Sequence, residues 1–149
     1  MAYNPRGKYK PSKHSFPIPD KTFDFVILTS VFTHMRANDV DYYLSEIARV
    51  MSDQATCFIT YFIVDKESRY LMKKGISSFN FQLEFDKDCF SCSKNLPKSA
   101  VAYEEDFIRD LYRRWDLVIN DPPSRGVWRK GDKSVEHFQD IVVAHRASR

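Results

Sequence analysis

The sequence predicts an α/β fold with a mostly parallel sheet, and three stretches of the 149-residue chain predict it. Phe23 to Thr29 (FDFVILT) is a short, nearly continuous apolar run, the pattern of a strand buried on both faces. From Asn38 onward, Val40, Tyr43, Leu44, Ile47, Val50 and Met51 recur at three and four residues and form one apolar helical stripe. Thr56 to Val64 (TCFITYFIV) is β-branched and aromatic, as a second buried strand should be. Strand, helix and strand at this spacing make a βαβ unit with a right-handed crossover.

The other elements follow in order. Residues 1–22 hold Pro5, Pro11, Pro17 and Pro19, four of the chain's seven prolines. Each removes a backbone donor, so this segment is expected to be an extended arm, with residues 23–149 forming the α/β domain. Arg6, Lys8, Lys10, Lys13 and Lys21 make the arm basic. Asn38 is expected to cap the first helix, with Asp39 and Asp41 at the positive end of its dipole. Asp65 is expected to cap a short helix that Gly75 ends. Phe79, Phe81, Leu83 and Phe85 alternate with polar residues, as in a half-exposed strand or an extended cover. Tyr103 to Trp115 reads as a helix, with Glu104, Glu105 and Asp106 at its start and Arg113 and Arg114 at its end. Leu117 to Ile119 is a brief strand, and Phe138 to Ala144 (FQDIVVA) is the last.

Composition narrows the function classes. Hydrophobic residues make up 43% and charged residues 29%, the balance of an ordinary soluble domain. No apolar run approaches the ~20 residues of a membrane span, so no membrane partner is expected. An average chain of this length would hold roughly ten glycines; this one has four, too widely spaced for a phosphate-cradling loop. A net charge of +3 is too mild to make nucleic acid a natural partner. Three cysteines and no signal-peptide core point to a reducing compartment, and the expected location is cytoplasmic.

The phrase FPIPDKTFDFV, then SVFTHM (Ser30 to Met35) and EIARV (Glu46 to Val50), resembles class I S-adenosylmethionine-dependent methyltransferases. The similarity is to the C-terminal half of that domain and covers roughly residues 4 to 146. It implies a partial Rossmann-like sheet within a three-layer α/β/α architecture. The implied strand order is fourth, fifth, last, sixth in the family's numbering, with the last strand antiparallel. The implied function is methyl transfer from S-adenosylmethionine to an unidentified acceptor. The family's glycine-rich first motif has no counterpart, and Ser52-Asp53-Gln54 stands where many relatives have Pro-Gly-Gly. Pro11-Ser12-Lys13 stands in place of the aspartate that reads the adenine. The resemblance therefore implies a truncated domain that binds the cofactor weakly or not at all by itself.

Carried over residue by residue, the resemblance puts Thr29, Ser30 and Val31 beside the methionine part of the cofactor and Ser12 and Lys13 on its adenine side. His34 becomes the candidate acid/base, since an imidazole near neutral pKa can take a proton from an acceptor oxygen or nitrogen. The alternative is that Thr33 and His34 only shape the loop entering the helix. Cys89-Phe90-Ser91-Cys92 is a C-x-x-C without a second pair of metal ligands, and two ordinary cysteines near a loop are the simpler reading. Arg125, Trp128, Arg129 and Lys130 are either a substrate lip or an exposed loop. Two function classes remain: a methyltransferase, and a non-catalytic interaction module or partner subunit. An edge on Phe23 to Thr29 left unpaired would call for a homodimer or an upstream segment to complete the sheet.

Overall fold

The computed structural model describes residues 11–130 and 137–147. A 3-10 turn at Pro11–Lys13 opens the described chain, which then runs along the first helix. Residues 1–10 of the expected arm lie outside the described residues. Arg49 holds the remainder down, donating to the carbonyls of Phe16 and Ile18 and to Asp20, while Glu46 accepts from the Phe16 amide at 2.7 Å.

Strand β1 is Phe23–Leu28, helix α1 is Ala37–Val50, and strand β2 is Met51–Tyr61. β1 and β2 pair in parallel, Val26 beside Cys57 and Leu28 beside Ile59, as the βαβ reading requires. Helix α1 begins one residue before the expected Asn38. Its N-cap is Arg36, and no side chain caps the first turn.

The run read as one strand from Thr56 to Val64 divides. β2 starts earlier, at Met51, and ends at Tyr61; Ile63–Val64 forms β3 in a second sheet. Helix α2, Lys66–Lys73, follows with the expected Asp65 cap, and Gly75 beyond it takes the left-handed φ of 68° that ends helices. β4 (Leu83–Asp86), β5 (Cys89–Ser91) and β6 (Val101–Glu104) complete the second sheet in the order β3-β6-β5-β4. Tyr103, expected in the next helix, is therefore a strand residue, and helix α3 is Glu105–Arg114.

β7 (Leu117–Ile119) and β8 (Asp140–Arg146) return to the first sheet. Its order is β1-β2-β8-β7, with β8 antiparallel to both neighbours. That is the expected order. Three of the four strands share one direction, yet only the β1–β2 pair is parallel, because β8 is inserted between β2 and β7.

Helices α1 and α3 cover one face of this sheet. Val40, Leu44 and Ile47 from α1 and Ile108, Leu111 and Tyr112 from α3 pack on Cys57, Ile59, Val142 and Ala144. Asp41 ties the two helices, accepting from Arg114 and from the Trp115 indole at 2.7 Å. A second cluster, Phe62, Phe81, Phe90 and Trp128 with Met72 of α2, fills the second sheet. No helix among the described residues is long and apolar enough to cross a membrane.

Candidate functional site

Open α/β sheets place ligands outside the carboxyl ends of their parallel strands. In this chain that end is the turn after β1. Thr29, Ser30 and Val31 are all exposed there, and Ser30 holds a left-handed φ of 55°. A non-glycine residue in that region is uncommon and persists only where its surroundings fix it. The Ser30 amide donates to Thr60 Oγ1 at 2.8 Å, and the Ser30 hydroxyl donates to Gln139 Oε1 at 3.1 Å. β1, β2 and the approach to β8 thus each hold one side of the turn.

A 3-10 turn, Phe32–His34, leads from this loop into α1. Its anchor is Tyr103, whose hydroxyl lies 2.6 Å from the carbonyl oxygens of both Phe32 and Met35. His34 is half-buried, with Nδ1 2.9 Å from the Lys98 carbonyl. A carbonyl can only accept, so Nδ1 carries the proton and the lone pair of the neutral ring is on Nε2.

Ser12 and Lys13 lie on the turn packed against α1. The Ser30 turn makes its own hydrogen bonds, to Thr60 and Gln139. Cys89 is buried in β5 and Cys92 is half-buried just after it, both free thiols.

The expected lip of Arg125, Trp128, Arg129 and Lys130 divides into two roles, Arg125 and Lys130 pairing with Glu105 and Glu67 while Trp128 and Arg129 turn inward. Trp128 and Arg129 are fully interior, and Arg129 joins two carboxylates. It donates to Asp140 through Nε at 3.0 Å, to Asp65 through Nη1 at 2.9 Å, and to the Ile63 carbonyl through Nη2 at 2.8 Å. Asp140 also accepts from the Ile63 and Gly126 amides and the Trp128 indole. Burial pushes the Asp65 carboxyl up, but Arg129 and the Ser68 amide outweigh it and hold the group below its ordinary value. Gly126 belongs to this latch, because a Cβ there would collide with the backbone of Phe138 and Gln139. The latch fixes Gln139, and through it Ser30. Asp140, Gln139 and Thr60 gave no sequence signal, because Thr60 lies in β2, Gln139 and Asp140 lie at the entry to β8, and no motif links the two places.

A cleft of about 460 Å³ between the starts of α2 and α3 is lined by Asp65, Glu67, Arg69, Glu104, Glu105 and Asp106. Arg129, Arg69, Arg109 and Lys130 pair with four of its carboxylates, so it is an internal ion-pair network. Among the described residues no group of three or more His, Cys, Asp or Glu side chains is placed to hold one metal ion.

Sheet order, the parallel β1–α1–β2 crossover and a fixed polar turn at the carboxyl end of β1 define a Rossmann-like α/β protein, although α1 and α3 cover one face of the sheet where the three-layer α/β/α reading expected two covered faces. A family model described as a methyltransferase domain matches residues 7–59, which include β1, the Ser30 turn, α1 and most of β2. Solved structures agree in fold. A SAM-dependent methyltransferase from Methanosarcina mazei superposes with a TM-score of 0.60 at 14% identity, covering 95% of this chain and 66% of that one. The 1,6-didemethyltoxoflavin-N1-methyltransferase of Burkholderia thailandensis, with bound S-adenosylhomocysteine, gives 0.57 at 13% identity over 93% and 48%. Magnesium protoporphyrin IX methyltransferase from Synechocystis, also with S-adenosylhomocysteine, gives 0.52 at 14% over 93% and 49%. The fold is the Rossmann-like fold of S-adenosylmethionine-dependent methyltransferases, and the chain spans from about half to just under two thirds of the length of these structures.

The residues present fit one wall of a cofactor site. Thr29–Val31 offers exposed backbone and a fixed hydroxyl. Of the two described glycines, Gly75 ends α2 and Gly126 is packed in the latch, so neither forms a glycine turn between a strand and a helix.

Proposed function

We propose that the chain serves S-adenosylmethionine-dependent methyl transfer, with Thr29, Ser30 and Val31 forming the wall beside the methionine part of the cofactor. The observation that carries this reading is Ser30, held at φ 55° on the carboxyl end of β1 inside the stretch that matches the methyltransferase model. When bound, the cofactor supplies an electrophilic methyl group to a lone pair of the acceptor. The protein's work in such a reaction is alignment and exclusion of water. Thr60 and Gln139 fix the Ser30 turn, and Tyr103 fixes the segment that follows. His34, oriented by the Lys98 carbonyl at Nδ1, is the candidate to take up a proton released from an oxygen or nitrogen nucleophile.

A second reading, a non-catalytic interaction module of methyltransferase ancestry, is favoured by the missing glycine turn among the described residues. Titration with S-adenosylhomocysteine, followed by backbone amide resonances, separates the two. The expected result is perturbation centred on Thr29–Val31 and Gln139, with a dissociation constant on the order of 0.1 mM or weaker. Low-micromolar binding would refute the one-wall account of the site. No response at these residues in millimolar ligand would refute the methyltransferase reading and leave the interaction module.

A further inference from the structure

Ser124 and His137 take no part in holding the Ser30 turn, yet they meet in a chemically specific way. Ser124 Oγ lies 2.9 Å from His137 Nε2, and His137 Nδ1 lies 2.8 Å from the Gln139 carbonyl oxygen. That carbonyl can only accept, so Nδ1 carries the proton and the neutral ring keeps its lone pair on Nε2. Ser124 then donates its hydroxyl proton to that lone pair. A hydroxyl, a base within reach of its proton and a third group that orients the base make an activated nucleophile.

Both members sit on fixed backbone. Ser124 forms an antiparallel bridge with Ile141 of β8, its amide donating at 2.9 Å and its carbonyl accepting at 2.8 Å. Pro122 and Pro123 precede it and restrict the approach to the nucleophile. The His137 carbonyl accepts from the Val127 amide at 3.1 Å, and the Phe138 carbonyl accepts from the Trp128 amide at 3.2 Å. The tight contact of Gly126 with the Phe138 and Gln139 backbone closes the same frame. Ser124 is exposed and His137 is half-buried, so the nucleophile stands toward solvent while the base is held from behind. The Arg125 amide, one residue beyond the nucleophile, makes no hydrogen bond among the described residues. It is the nearest backbone donor in sequence for an oxygen on which charge develops.

We propose that Ser124 and His137 form a second catalytic site, an acyl-transfer dyad that takes carboxylic esters. Ser124 Oγ bonds to the ester carbonyl carbon as its proton passes to His137 Nε2. The adduct collapses by breaking the bond to the alcohol oxygen, which takes the proton from Nε2 and leaves as the free alcohol. The acyl group stays on Ser124 until water repeats the sequence. The ring takes a proton from water, the water oxygen bonds to the acyl carbon, and Ser124 Oγ leaves and recovers the proton from Nε2. The Gln139 carbonyl keeps Nδ1–H in place through both halves and steadies the imidazolium that forms in each. The proposal stands independently of any methyl-transfer activity.

Incubation of the full chain with p-nitrophenyl acetate tests it. Nitrophenolate release is followed by absorbance, and the acetylated residue is mapped by peptide mass spectrometry. The expected result is a burst of nitrophenolate with the acetyl group on Ser124. Ser124→Ala should lose both, while His137→Gln should slow acetylation of Ser124 roughly a hundredfold. Ser124→Cys, which keeps a nucleophile at the same place, should restore labelling at position 124. Circular dichroism is expected to show all three variants folded; if one is not, the mapped adduct on the native chain decides. Acetyl found on lysine or Cys92 and not on Ser124 would overturn the proposal. So would a Ser124→Ala chain that releases nitrophenolate as fast as the native one, or a His137→Gln chain acetylated on Ser124 at the native rate. Each of those results would reduce the pair to a structural tie across the loop.

Discussion

Asp140 shows how much one side chain can organise. It is fully buried at the start of β8 and takes four donors on its two oxygens: the Ile63 and Gly126 amides, the Trp128 indole and Arg129 Nε. Removing the carboxylate would leave Arg129 charged and interior with Asp65, the Ile63 carbonyl and a more distant Glu67 at 4.0 Å, and breaking a buried pair from one side costs about 3–5 kcal/mol. Asp140→Ala is expected to lower unfolding stability by that amount in urea titrations. A loss under ~1 kcal/mol would show that the latch is not what holds the 124–130 loop. The sequence did not disclose this role. Within FQDIVVA, an aspartate reads as the polar start of a strand, and its partners lie outside that phrase, on the Gly126–Arg129 loop and on Ile63, 77 residues away. Ser30 and His34 could be singled out as candidates because they share one contiguous phrase, SVFTHM, whereas Thr60 and Gln139, which fix Ser30, are 30 and 109 residues away.

At the scale of elements, legibility followed local chemistry. Asp65 was readable as a cap because capping is a four-residue affair, and the structure completes it as a capping box. Asp65 accepts from the Ser68 amide, and the Ser68 hydroxyl accepts from the Asp65 amide, both at 2.8 Å. Ser68→Ala removes one arm of the box at a buried position. It should cost ~1–2 kcal/mol, read as a lower urea midpoint with unchanged slope. An unchanged midpoint would show that α2 is held by Leu71 and Met72 alone. The passage from β2 to β3 could not be read in the same way. A run apolar on both faces shows no alternation, so nothing marks the residue at which it leaves one sheet and enters another. The start of α3 was misplaced for a related reason. Tyr103 continues the helical spacing of Phe107 and Leu111, but its hydroxyl is claimed by the Phe32 and Met35 carbonyls and its backbone by β5.

For the whole molecule, the distribution of shifted groups sets a pH window. Glu46, hydrogen-bonded to Arg49, has its carboxyl held below the ordinary value. Asp65 is held below it beside Arg129, and Asp121 beside Arg109. A carboxylate with a depressed folded pKa contributes stability that is full above its unfolded pKa of ~4 and is lost as pH falls through the folded value. The alkaline side runs the other way. Burial pushes the Cys57 thiol up to about 11 and the Cys89 thiol up to about 12, and it raises the hydroxyls of Tyr61, Tyr103 and Tyr112. Groups raised in the folded state contribute fully below their unfolded pKa, ~8.5 for a thiol and ~10 for a tyrosine, and that contribution is lost as pH rises toward the folded value. Stability should therefore plateau between pH ~4.5 and ~8.5 and fall on both sides. The alkaline decline should have two stages, thiols first and tyrosines above pH ~10. Urea midpoints measured across pH test this directly, with the Cys57→Ala/Cys89→Ala chain as control. That variant should start from a lower plateau because of the cavities it creates, yet hold the plateau to pH ~10. If it declines from the same pH as the native sequence, the buried thiols are not the groups that set the first alkaline stage.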